Sequence, residues 1–163
     1  MHQVSQMKSN LKRIIFAGIA GGLALNIAML LTFRLLGFGW QGNGILLNPS
    51  IQSPKLIAVW TQLQPIPLVI SKPFIIFTGL VIFSIGHAAV YHWLSPSWQE
   101  GIKARALRFA MLLFFLSFLF WEFLTPFNML GEPLVLIPLE LVFWTAMALA
   151  ESLTIAAVME IRK

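Results

Sequence analysis

LVLIPLELVFWTAMALAESLTIAAVMEI, residues Leu134–Ile161, is the stretch whose reading decides the fold. It is apolar for longer than the ~20 residues a helix needs to cross a ~30 Å hydrocarbon core. Within it Glu140, Trp144, Met147 and Glu151 follow at spacings of four, three and four, which puts the carboxyls of Glu140 and Glu151 on one helix face. At the α-helical rise the two lie ~16 Å apart along the axis. A glutamate at membrane depth costs a few kcal/mol even at the lower estimates, so such a residue turns inward and finds a partner or a proton. Two readings follow. The stripe is either a wall that takes up protons or cations, or a set of neutral or ion-paired carboxyls that locks helix packing. Ala146, Ala150 and Ala157 make a second, smooth stripe on the same segment, so it has at least two contact faces.

Outward from this segment, three more apolar runs reach spanning length, at about 14–38, 73–94 and 106–125, with the fourth at 134–161. Each has punctuation. Gly37, Gly39, Gly42 and Gly44 end the first, Pro73 opens the second and Ser95-Pro96 closes it, Pro126 ends the third, and Gly131-Glu132-Pro133 precedes the fourth. Backbone groups in lipid must be satisfied within their own segment, so these runs are helices. The predicted fold is all-α: a polytopic membrane protein, one domain over 1–163, built as a four-transmembrane-helix bundle.

Composition agrees. The chain has 163 residues, 58% hydrophobic and 10% charged, with a mean hydropathy of +0.83; a soluble domain carries about 25% charged residues. The net charge of +5 comes from Lys and Arg gathered at the ends of the apolar runs, which is membrane anchoring and argues against a nucleic-acid partner. The run after Lys8, Lys12 and Arg13 is too long for the ~7–15-residue core of a signal peptide, so it is read as a retained first helix. With the N-terminus inside, the inner flanks hold Lys8, Lys12, Arg13, Lys103, Arg105, Arg108, Arg162 and Lys163 against Lys55, Lys72 and Arg34 outside. That bias places both termini in the cytoplasm, in a multi-pass membrane protein, of the cytoplasmic (inner) membrane if the source is bacterial. Trp40, Trp60, Trp93, Trp98 and Trp121 fall near span boundaries, as interfacial anchors do.

The outer loop, 39–72, is longer than a connection needs. Ser53-Pro54 reads as an N-cap and first helical proline, leading into a short helix over 55–64 whose Leu56, Trp60 and Leu63 share one face. An interfacial helix that covers the outer mouth of the bundle and a plain connector anchored by one Trp are both consistent with this pattern.

Depth counts sort the remaining polar residues into two clusters. Toward the outer side, Arg34, Glu122 and Glu140 are level within about two turns, and an ion pair from Arg34 to either acid is the cheapest way to house them. Asn128 and Glu132, in the outer turn, extend this cluster or serve only as turn and helix-start residues. Toward the inner side, His87 and Glu151 are level, with Ser84 and Tyr91 on the face of His87. The pair suits a proton relay, two ligands of a metal, or a packing hydrogen bond. His92, five residues on, points elsewhere and reads as interfacial. Gly18 and Gly22 form G-x-x-x-G with Asn26 one turn further, which allows close helix approach and a hydrogen bond across it, within the bundle or in a homodimer.

With no Cys, thiol chemistry and thiolate metal sites are excluded. Paired Glu-x-x-His, H-E-x-x-H, G-x-S-x-G and P-loop motifs are absent, as is any internal repeat of the transporter kind. No cofactor or metal can be named. Two functions remain: a non-catalytic packing module, self-associating or accessory to a larger membrane complex; or a bundle with an internal Glu/His site that binds a proton, cation or small ligand for transport or sensing.

Overall fold

The computed structural model describes residues 2–160, with side chains from Asn10 onward. The side chain of Lys8, and Arg162 and Lys163 entirely, counted above toward the inner flank, lie outside the described residues. The elements in chain order are α1 (His2–Met29), α2 (Pro54–Thr61), α3 (Leu68–Ser71), α4 (Pro73–Leu94), α5 (Ile102–Leu113), α6 (Leu119–Glu122) and α7 (Ile137–Glu160), with no strand among the described residues. Four helical stretches are long and apolar enough to cross a membrane: Asn10–Gly37, Pro73–Ser97, Ile102–Met129 and Ile137–Glu160, the first to fourth spans below.

The span limits depart from the predicted ones for local reasons. The third span begins at Ile102, directly after Gly101 with φ 110°, and does not stop before Pro126. It continues to Met129 as a wide-turned π-helix over Phe123–Met129. A proline lacks the N–H of an i→i−4 bond and its ring crowds the carbonyl four residues back; a wider turn relieves both problems. Similar wide turns end the first span over Leu30–Gly37 and interrupt the third over Phe114–Phe118. The fourth span starts at Ile137, three residues later than predicted. Pro138 then falls in the first turn, where its missing N–H costs nothing. In the loop, Ser53 caps α2 by accepting from the Leu56 N–H, with Pro54 at the first helical position, and the helix ends at Thr61, short of Gln64.

The first span packs against both the second and the fourth, and the fourth against the third. Glycines set the first two contacts. A Cβ at Gly18 would lie 2.3 Å from the Ile85 Cα, one at Gly22 2.7 Å from the Val81 Cα, and one at Gly21 2.6 Å from Ile155 Cγ1. Asn26 bridges the first pair of spans, donating to Gly22 O at 2.8 Å and to Phe77 O at 3.2 Å. The second and third spans meet near the end of the bundle where the chain termini lie, through Phe109 against Tyr91 (ring centroids 5.3 Å apart) and His87 (6.3 Å). Toward the opposite, loop-side end a cavity separates them. Outward faces stay apolar, with Phe16, Ile27, Ile82 and Leu116 all more than half exposed. Such an outward face is compatible with a membrane helical bundle.

Of the tryptophans expected at boundaries, Trp40, Trp93 and Trp121 are exposed. Trp60 and Trp98 instead turn inward, onto Phe38 at 4.4 Å and onto Tyr91 at 6.0 Å between centroids. The small stripe of the fourth span is displaced as well. Ala146, Ala150 and Ala157 are half-buried, whereas Ala148 and Ala156 are buried.

Candidate functional site

At the terminus-side end, Ser84 and His87 lie one turn apart on the second span and face Glu151 of the fourth. The Ser84 hydroxyl donates to Glu151 Oε1, and His87 Nδ1 lies 2.8 Å from the same oxygen. Ser84 and Glu151 are wholly buried and His87 nearly so. Phe83 and Phe109 stand edge-on to the imidazole, and the Gly21 backbone of the first span closes over the Glu151 side chain. Glu151 Oε2 and the neighbouring Ser152 hydroxyl are buried without a partner.

Tyr91 does not join this pair. Its hydroxyl turns one helical turn further toward the termini and donates to Glu160 Oε1 at 3.4 Å. Arg105, counted as a flank charge, is 5% exposed and donates to Glu160 Oε1 at 2.7 Å and to Trp98 O at 3.5 Å. This ion pair links the start of the third span to the end of the fourth. Its depth could have been counted in the same way as that of His87 and Glu151. His92 is half-buried and carries no part of either cluster.

At the loop-side end the predicted Arg34 ion pair does not form. Arg34 folds back on its own helix end, donating to Gly39 O at 3.0 Å and Trp40 O at 3.2 Å, with its guanidinium 5.6 Å from the centre of the Trp40 ring. The carbonyls at a helix C-terminus carry partial negative charge and lack partners of their own, which makes them ready acceptors for a nearby guanidinium. Asn128 is exposed in the wide-turned end of the third span and also stays outside the cluster.

Glu132 takes the third place instead. Glu122 of α6, Glu132 of the turn and Glu140 of the first turn of α7 bring one carboxyl oxygen each within 4.8 Å of one another, and all three side chains are buried. Gly131, at φ 67°, lets the chain turn there, and the Glu132 N–H donates to Pro126 O at 3.0 Å. Two outside donors hold the group. Trp144 Nε1 donates to Glu122 Oε2 at 2.9 Å, and Gln52 Nε2 donates to Glu132 Oε1 at 2.9 Å. Gln52 is in turn fixed by the Ser53 N–H on its own Oε1. Its role was not foreseen, because a loop glutamine eighty residues from Glu132 carries no periodic signal. Glu122 Oε1 and Glu132 Oε2 are buried without a partner, and among the described residues no cation lies within ion-pair distance of the three.

Three carboxyls this close in a low-dielectric setting cannot all be ionised unless a cation joins them; otherwise they must share protons. The all-oxygen donor set is of the type that hard divalent cations or an ammonium group accept.

Glu140 also faces a cavity of about 570 Å³. It lies between the loop-side halves of the second and third spans, with the first and fourth spans behind it and α2 and α3 toward the loop. Phe33, Phe77, Leu80, Phe118, Trp144 and Met147 give it apolar, largely aromatic walls, and Glu140 and Arg34 are the charged residues among those that line it. Two of the wide-turned helix segments, at Leu30–Gly37 and Phe123–Met129, form part of these walls. Compared with models of known protein families, with curated proteins and with solved structures, the chain matches none.

Proposed function

We propose that this chain is a multi-pass membrane protein that binds an apolar or amphipathic small molecule in the loop-side cavity, for sensing or transport, with both termini in the cytoplasm and α2 lying at the outer interface. The observation that carries the reading is the cavity itself. Its volume of about 570 Å³ falls within the ~300–1,000 Å³ of small-molecule sites, and its make-up, apolar walls with a few polar groups, is that of such sites. Its position between two spans would give a lipid-soluble molecule a short route from the bilayer.

The terminus-side pairs support a different role. His87–Glu151 and Arg105–Glu160 are enclosed, lie away from the cavity and join neighbouring spans, as residues that specify packing do. A purely structural module, self-associated or accessory to a larger complex, would need these pairs but not the cavity.

Binding of a neutral apolar probe, 2-naphthalenemethanol, to the protein in lipid nanodiscs tests the reading, with empty nanodiscs subtracted. Saturable binding is expected in the wild type, weakened at least tenfold by Leu80→Trp, which puts an indole into the cavity. Binding that Leu80→Trp leaves unchanged overturns it.

A further inference from the structure

We infer that the cavity selects a lipophilic amine in its protonated form, with the ammonium group at Glu140 and the apolar body against the aromatic walls; this rests on the cavity reading above. Glu140, the acid that lines the cavity, belongs to a group of three buried carboxyls with one oxygen each within 4.8 Å of one another, and among the described residues no cation lies within ion-pair distance of them. Arg34, which shares the cavity lining, spends its guanidinium donors on the carbonyls of Gly39 and Trp40. Lys55, on α2, donates to Met129 O at 2.6 Å instead. A protonated amine in the cavity therefore supplies a counter-charge that the described residues do not; without one the three carboxyls share protons.

The form of that charge follows from the acceptors. Glu122 and Glu132 are already held by Trp144 and Gln52 and do not line the cavity, which leaves Glu140 as the acid facing it. An ionised carboxyl there accepts N–H donors. A protonated primary amine brings three on one atom, whereas a quaternary ammonium brings none. Hydrogen bonds to an ionised acceptor are roughly twice as strong as neutral ones. The Trp144 ring, which lines the cavity and stacks on Phe118 at 5.0 Å, adds an aromatic face of the kind that attracts a cation. A bare metal ion would satisfy the carboxyls but make no use of the apolar chamber beside them.

The test compares 2-naphthylmethylamine with 2-naphthalenemethanol, which share an apolar body and differ in the charged group, on the full chain in lipid nanodiscs. The amine is expected to bind wild type at least tenfold more tightly than the alcohol. Glu140→Gln should abolish that preference, and Leu80→Trp should weaken both probes. Equal affinity of the two probes for wild type overturns the charge selection, and this arm needs no variant to fold. If the alcohol is still lost on Leu80→Trp in that case, the cavity reading stands alone. If neither probe responds to Leu80→Trp, both readings fall. A preference for the amine that survives Glu140→Gln and also Glu122→Gln places the cation elsewhere and overturns the inference.

Discussion

The indole N–H of Trp144 donates to Glu122 Oε2 at 2.9 Å, tying the fourth span to the third beside the cavity. Removing a donor from a buried acid costs about 1–3 kcal/mol, more when the acid is charged. Trp144→Phe, which keeps an aromatic ring against Phe118, should therefore destabilise the fold by that amount, read as a lower thermal unfolding midpoint in detergent. An unchanged midpoint would show that Trp144 holds Glu122 only incidentally.

Glu151 should tolerate the loss of its charge but not of its acceptor. Glu151→Gln keeps an oxygen for Ser84 and for the His87 N–H, so stability should change by less than about 1 kcal/mol, with probe binding in the cavity unaffected. Glu151→Ala leaves both partners buried and unsatisfied, for a loss of about 3–5 kcal/mol. Unfolding monitored by circular dichroism distinguishes the two variants. Loss of probe binding in well-folded Glu151→Gln would instead make this pair part of the functional site.

Glycine substitutions should divide by position. Gly18→Ala drives a Cβ onto the Ile85 backbone and should destabilise by about 1–3 kcal/mol, as overpacked contacts do. Gly86→Ala meets nothing within 4 Å and should be neutral or stabilising by up to about 1 kcal/mol, because alanine is the better helix former. Equal effects on the unfolding midpoint would remove the close approach of the first two spans from the packing scheme.

Orientation can be read with thiols, since the chain has no Cys. Lys55 and Lys103 are exposed on opposite ends of the bundle. A membrane-impermeant maleimide should label Lys55→Cys in sealed cells and Lys103→Cys only after lysis. The reverse pattern would turn the protein over in the membrane.

The spans were legible because apolar length is a cumulative signal that single residues do not blur. The level placement of His87 and Glu151 could be counted because both sit inside regular helices with a fixed rise. Arg34 escaped the same count. A long flexible side chain at a helix end has carbonyls of its own helix within reach, and depth alone does not tell them from an acid on another span. Gln52 was invisible because a loop residue has no periodicity to place it. The end of the third span was hidden by Pro126, whose usual meaning as a stop depends on normal helical turns that this segment widens. The cavity was out of reach for a similar reason: it comes from the separation of two spans, and no pattern within either one encodes that.

The most direct test is the mass of the protein released from its native membranes under gentle native mass spectrometry. Wild type should carry a bound molecule of small-molecule mass that Leu80→Trp lacks, with both chains equally folded. The same adduct on both proteins, or a bare chain in both, would contradict a ligand in the loop-side cavity.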